Sequence, residues 1–434
     1  MKLAIVGSGI SGLAVAYRLR GQADITLFEA GDYFGGHTHT VDLTLNQGGA
    51  RLTHGIDTGF LVFNERTYPE LIRLFAELGV VTARSDMSFS AQVMGQPGHP
   101  ALEWSGSSLN TVFAQRRNLM RPRFLGMLAD VLRFNRLANA LALANRDAEL
   151  MQPLADFLRQ QGFSNAFRDW YLLPMLGCIW SCPTDQMLEF PLATLIRFCH
   201  NHGLIQVSDR PQWWTVAGGA RQYVEKITAA IGDKRLRCPV QRIVRDGQGV
   251  LVSTAAQTER FDKVVLACHS DQALALLDEP SEPERAVLGA IRYQPNRAVL
   301  HTDPSVLPRQ RRAWAAWNYE SAERADGSGQ SVCLHYLINL LQPLPFAQPV
   351  LVSLNPLREI APDRIHASFD YAHPVFDLAA IRAQQHVGDL QGQRHTYFCG
   401  AWTGYGFHED GLKSGLAVAA QLETVLNQAR GPVA

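Results

Sequence analysis

Leu3-Ala4-Ile5-Val6-Gly7-Ser8-Gly9-Ile10-Ser11-Gly12 decides the fold of this chain. Its first four residues form an uninterrupted apolar run, the pattern of a strand buried on both faces of a parallel sheet. The run breaks directly into a G-x-G-x-x-G, after which Ile10, Leu13, Ala14 and Tyr17 recur at helical spacing. Asp24-Ile25-Thr26-Leu27-Phe28 reads as a second strand ending in Glu29, twenty residues after Gly9. Gly7 permits the tight turn, Gly9 lets the backbone approach a pyrophosphate, and Gly12 lets helix and strand pack closely. The helix start offers unpaired N–H groups and a positive dipole end to phosphate. Glu29 is placed to accept from a ribose 2′-OH, and its charge opposes an NADP 2′-phosphate. Strand, turn, helix, second strand and terminal acid in register make a dinucleotide-binding unit.

The 434 residues leave room for two or three domains of about 100–200 residues each. Lys+Arg and Asp+Glu both number 40, so no global field attracts nucleic acid, and none is expected as a partner. The charged fraction of 18% lies below the usual level of about 25%, which excludes disorder and favours apolar interiors. The seven cysteines are scattered with no C-x-x-C, and read as thiols in a reducing compartment. The N-terminal apolar run stops at once in glycines, unlike a signal peptide, and no run reaches a membrane-spanning length. The expected location is cytoplasmic, with peripheral contact at the inner membrane left open.

The continuation separates FAD from NAD. Glu29-Ala30-Gly31-Asp32-Tyr33-Phe34-Gly35-Gly36-His37-Thr38 resembles the extension of the amine oxidase superfamily. That superfamily includes monoamine and polyamine oxidases, protoporphyrinogen oxidase and phytoene desaturases. Thr40, rather than Thr38, fills the superfamily's Thr position after the glycine pair and its basic residue. Gly55-Ile56-Asp57-Thr58-Gly59-Phe60 is similar to its D-x-G loop beside the flavin, and Trp214–Ala220 to its G-G motif before a helix. Val240–Val244 and Gly249–Val252 read as a hairpin, with Asp246-Gly247 as turn chemistry. Lys263–Ala267 reads as another buried strand. Thr396–Gly415 resembles the closing flavin motif, a strand into a loop into a long last helix. The GFHEDGLKSG form, with Trp317-Asn318-Tyr319 and Tyr371-Ala372-His373-Pro374, is similar to a bacterial branch of amine-oxidase-like FAD/NAD(P)-binding proteins, whose members tend to be encoded near cyclopropane-fatty-acyl synthases.

The resemblance implies an α/β fold: a Rossmann-like FAD-binding domain of the glutathione-reductase and amine-oxidase type, with an inserted α+β substrate domain. Residues 1–85, 215–280 and 390–434 would form the FAD domain. Residues 86–214 and 281–389 would form the substrate domain, helical over about 100–214 and a sheet over about 290–360. Ala322–Gly329 reads as a flexible loop. The implied cofactor is non-covalent FAD, held by Gly7, Gly9, Ile10, Ser11, Gly12, Glu29, Ala30, Gly35, Gly36, His37, Thr38, Thr58, Gly59, Val240, Gly400, Ala401, Trp402, Gly411 and Leu412. The last helix is expected to start around Gly411 and Leu412, with its N–H groups on the flavin edge where negative charge arrives. The superfamily's acid after its final glycine is replaced here by Ala401-Trp402.

A flavin supplies the redox chemistry, so the protein needs only to orient, admit and polarise. No nucleophile elbow and no metal-ligand spacing is present, and no metal is expected. Amine oxidases carry a lysine on a substrate-domain strand; the similar stretch Tyr293–Val299 has none. They also frame the amine with two rings, and one of those positions falls at His408. Candidate catalytic residues are His408 and Tyr405, His408 because an unperturbed pKa near 6.5 lets it orient substrate or take a proton. Phe60, Trp317, Tyr319 and Tyr336 are candidate substrate contacts. Residues 112–136 set Arg116, Arg117, Arg121, Arg123, Arg133 and Arg136 against the single acid Asp130, with apolar residues between. That stretch reads either as a solvated basic face or as a dock for anionic phospholipid. The expected activity is FAD-dependent hydride removal from a C–H bond, with a lipid acyl chain preferred. Amine oxidation is the alternative, and a non-catalytic FAD-binding accessory protein of a lipid-modifying complex is the second.

Overall fold

A computed structural model describes residues 1–94, 101–144, 150, 152–180, 187–206, 210–323 and 330–430. Lys2–Val6 lies at the centre of a five-stranded parallel sheet, between Asp24–Phe28 and Lys263–Leu266. Asp233–Arg235 and Thr396–Phe398 complete its edges. Leu3, Ala4 and Ile5 are fully buried, as the unbroken apolar run requires. The first helix, Ile10–Leu19, packs against the last, His408–Arg430. Small residues set that spacing: a Cβ on Gly415 would lie 2.3 Å from the Ser11 carbonyl oxygen. The hairpin Val240–Asp246 and Gly249–Thr254 gains a third strand, Thr258–Phe261, and buries Val250 and Val252 in one core with Phe28 and Leu266.

The second large sheet has seven strands. In spatial order they are Ile365–Val375, Arg292–His301, Leu351–Leu354, Gln330–Leu337, Trp317–Glu323, Phe89–Val93 and Leu102–Ser105. It therefore reaches beyond the expected 290–360 at both ends. Phe89–Val93 joins by parallel pairing to Trp317–Glu323, a long-range register that no local pattern announces. Alternation turns Trp317 and Tyr336 to one face of the sheet and Glu320, His335 and Ser353 to the other. Helices Pro122–Ala144, Leu173–Trp180 and Leu192–Asn201 build a separate aromatic core around Phe124, Phe134 and Phe167. Of the expected flexible loop, Ala322 and Glu323 belong to a strand, and 324–329 lie outside the described residues. The six described cysteines are free thiols, and Cys182 lies outside the described residues.

Candidate FAD and substrate site

One cavity of about 420 Å³ runs from the glycine loop to the face of the seven-stranded sheet. At its dinucleotide end the Glu29 carboxylate accepts from Ser8 N–H at 3.0 Å, Ser8 Oγ at 2.5 Å and Gly31 N–H at 2.8 Å. A carboxylate offers about four acceptor sites, so one remains for a ribose hydroxyl. Gly7 has φ +101°, and a Cβ on Gly12 would lie 2.0 Å from its carbonyl oxygen, so both glycines are obligatory. A Cβ on Gly9 would instead meet nothing within 4 Å, because that position faces open space. Ser8 Oγ also accepts from Gly35 N–H at 3.1 Å, which ties the second glycine pair to the first loop. This set of free N–H groups, glycines and one acid fits the ADP half of FAD.

Gly7, Gly9, Ile10, Ser11, Glu29, Gly35, Gly36, His37, Thr58, Gly59, Gly400, Ala401 and Trp402 all line the cavity, as do Phe60, Trp317, Tyr336, Tyr405 and His408. Seven expected site residues do not. Gly12 packs behind the loop, and Ala30 is exposed beside Glu29. Thr38 turns inward to the Tyr223 hydroxyl, and Val240 lies in the core with Phe28. Tyr319 is buried against the helix Leu173–Trp180, where a Cβ on Gly177 would sit 2.9 Å from its ring. Gly411 and Leu412 fall inside the last helix, which starts earlier, at His408. The Gly411 N–H is bonded to the Phe407 carbonyl at 3.1 Å, and a Cβ there would strike Ile10 at 2.8 Å. The reason for the early start is Asp410, whose Oδ2 accepts from Tyr405 N–H and Phe407 N–H, both at 3.0 Å.

Thr40 is a clamp: its hydroxyl donates to Asp57 at 2.5 Å and accepts from Arg221 N–H at 2.9 Å. Asp57 also accepts from Ala220 N–H and from Gln342, which fixes the Thr58–Phe60 loop against the cavity. Burial pushes the Asp57 carboxyl up to about 7.

The cavity's electrostatics are unusual. Among the described lining residues there is no lysine, arginine or aspartate, and Glu29 is the single acid. Five histidines line it instead: His37, His202, His269, His373 and His408. Burial lowers His37, His202 and His269 to about 4, and His373 and His408 to about 3. His408 lies flat on Phe60 with centroids 3.9 Å apart, and its Nε2 meets the Tyr223 hydroxyl at 2.8 Å. A neutral, engaged ring does not match the proton-exchanging role expected of an unperturbed histidine. His202, His269, Tyr371 and His373 escaped the sequence reading as site residues. Their only signal was position, His269 following a buried strand and His373 lying in the quoted Tyr371–Pro374 motif.

A buried cluster of Glu320, Cys333 and His335 sits on the other face of the substrate sheet. His335 bonds Glu320 at 2.9 Å and Ser353 at 2.6 Å, and Arg358 pairs with Glu320 at 2.7 Å. His335 thus bridges Glu320 and Ser353, while Glu320 Oε1 and Arg358 Nε form a close ion pair without a hydrogen bond of good geometry.

A family model, flavin containing amine oxidoreductase, matches residues 10–422. A comparison with curated proteins finds no match. Among solved structures, cyclohexylamine oxidase from Brevibacterium oxydans is 19% identical with a TM-score of 0.67, covering 97% of this chain and 99% of that one. A fatty acid isomerase from P. acnes that produces CLA is 17% identical with a TM-score of 0.64, covering 96% and 98%. Putrescine oxidase bound to putrescine is 16% identical with a TM-score of 0.65, covering 98% and 99%. These likenesses share the fold, whereas the family match spans nearly the whole architecture from first helix to last. The chain belongs to the flavin-containing amine oxidoreductase family and is an FAD-dependent oxidoreductase.

Proposed function

We propose that this enzyme removes a hydride from an apolar acyl chain, as a desaturase does, while the lipid headgroup stays at a membrane surface. The carrying observation is the cavity wall beyond the dinucleotide end. It is built from Leu61, Val62, Met87, Phe198, Trp317 and Leu354, with no ionised partner for an ammonium among the described residues. Burying an unpaired charge there would cost several kcal/mol. His408, at one of the two ring positions that would frame an amine, is stacked on Phe60 and bonded to the Tyr223 hydroxyl. When bound, the flavin supplies the two-electron acceptor. The protein's own groups orient the chain and exclude water, and His408 and Tyr405 act as walls of that slot.

Delivery from a membrane fits the outer helical layer. Among the described residues, six of the eleven exposed large hydrophobics lie between residues 109 and 143: Leu109, Leu119, Met120, Leu125, Leu132 and Leu143. Arg116, Arg117, Arg123, Arg133 and Arg136 are exposed among them, and Arg121 is half-buried. Apolar side chains beside basic ones suit an anionic bilayer interface. The helix Pro122–Ala144 packs on Leu192–Asn201, whose Phe198 lines the cavity. Among the described residues no helix is long and apolar enough to cross a membrane.

Anaerobic mixing with unsaturated phosphatidylglycerol vesicles is expected to bleach the flavin band and leave lipid lighter by two hydrogens. Bleaching by cyclohexylamine, benzylamine or putrescine, with none by lipid, overturns this reading in favour of amine oxidation, the alternative that family membership favours. Bleaching by neither class leaves the accessory role.

A further inference from the structure

Asn355, Asn296 and His373 form a chain in which the backbone fixes every donor and acceptor. Asn355 follows the strand Leu351–Leu354 at φ +53°, a left-handed conformation that asparagine tolerates. Its Oδ1 accepts from Arg297 N–H at 2.9 Å, so its Nδ2 is the donor to Asn296 Oδ1 at 2.7 Å. Asn296 therefore presents Nδ2 on its other side. That amide donates to the Gln294 carbonyl at 3.1 Å and to His373 Nδ1 at 2.7 Å. A ring nitrogen that accepts carries no proton, so the proton of neutral His373 sits on Nε2.

Three observations direct this N–H toward the cofactor. His373 lines the cavity, and its ring lies 5.4 Å from that of His37, which follows the Gly35–Gly36 pair. No described lysine or arginine lines the cavity, so neutral donors must meet the cofactor's acceptor atoms. Asn296 is 2% exposed and absent from the cavity wall, so its amide reaches the site only through the imidazole. The groups around His373 are His37 from the glycine-pair loop, His269 from the end of a parallel strand, Tyr371 on its own strand and Asn296. None is a carboxylate, and burial with the neighbouring His37 holds His373 neutral.

We propose that His373 is a cofactor-binding residue that donates from Nε2–H to bound FAD, with Asn296 and Asn355 as its positioning residues. Asn296→Asp is the diagnostic change. A carboxylate only accepts, so it draws the His373 proton to Nδ1 and leaves Nε2 bare unless the ring takes a second proton. The new charge raises the pKa of His373, so the Nε2–H donor survives at low pH and is lost as pH rises. FAD retention by the purified holoprotein is measured by ultrafiltration at pH 6, 7 and 8. Relative to wild type at each pH, Asn296→Asp is expected to match near pH 6 and to release FAD up to about tenfold more readily at pH 8, the worth of one hydrogen bond. His373→Ala is expected to lose about tenfold at every pH. The proposal is overturned if His373→Ala retains FAD as wild type does, or if Asn296→Asp tracks wild type throughout. Should Asn296→Asp fail to fold, 15N NMR of wild-type histidines decides, with the His373 signals identified by their loss in His373→Ala. A proton on Nδ1 rather than Nε2 overturns the chain. FAD content of the wild-type protein is read first, which keeps failure here distinct from failure of the cofactor assignment.

Discussion

Glu29 carries more of the site than any other side chain, because it both ties the loop and addresses the ligand. Its carboxylate holds Ser8 and Gly31, and Ser8 in turn holds Gly35. Replacing it with arginine removes these acceptors and sets a long cation beside the adenosine position. Glu29→Arg is expected to weaken FAD retention by about 10–100-fold, the range for hydrogen bonds to a charged group. Unchanged occupancy in that variant would count against the assignment. Cys268 is the one cysteine among the described cavity residues, and burial pushes its thiol up to about 12, which makes it a poor nucleophile. Acid precipitation should therefore leave FAD in the supernatant, and a yellow washed pellet would refute this. Glu29 was legible in the sequence because its partners lie within one local unit. Asn296 was not: Asn355 and His373 lie 59 and 77 residues away, and nothing in a Pro-Asn-Arg stretch announces them.

Elements follow the same logic. Lys2–Val6, Ile10–Leu19 and Asp24–Phe28 could be read because burial on both faces leaves an unbroken apolar run, and the helix shows its own period. Asp233-Lys234-Arg235 could not, since a three-residue edge strand of charged side chains has no apolar pattern. Ion pairs of Arg235 with Asp233 and Glu259 hold it instead. The last helix starts at His408 rather than around Gly411 and Leu412, and the small size of Gly411 serves contact with Ile10. The arginine-rich segment reads from sequence either as a solvated face or as a phospholipid dock, and exposed leucines and Met120 lie beside its guanidinium groups. Each basic residue near an anionic surface contributes about 1 kcal/mol. Replacing Arg116, Arg117, Arg121 and Arg123 with Gln is expected to abolish sedimentation with phosphatidylglycerol vesicles while FAD content stays intact. If the wild-type protein ignores such vesicles at low salt, this surface is only a solvated face.

At the scale of the whole molecule, one parallel sheet gathers strands from residues 2–28, 233–235, 263–266 and 396–398. Such an assembly cannot be derived from local periodicity, and only the spaced motifs of a family pattern linked these segments. Closing the sheets around one cavity buries histidines that would be half-charged in an unfolded chain near pH 6.5. His37, His202, His269 and His301 are lowered to about 4, and His373 and His408 to about 3. Between those values and 6.5 the unfolded chain binds more protons, so stability rises with pH and is lost on acidification. Asp57 and Asp410 act in the opposite sense. Their carboxyls are raised to about 7 and about 6, so the stability they contribute is complete near pH 4 and fades as pH rises through those values. Six histidines outweigh two carboxyls, and each proton is linked to about 1.4 kcal/mol per pH unit. The melting temperature of the flavin-free protein is therefore expected to fall steadily from pH 7 to pH 5, by scanning calorimetry at constant ionic strength. His301 provides the internal control, because it bonds Ser353 and the Asp303 N–H and does not line the cavity. His301→Gln keeps a neutral amide there and should flatten the acid slope by about one proton's share. A melting temperature that holds or rises on acidification would show that these rings are charged in the folded protein, and the neutral-donor cavity would have to be abandoned.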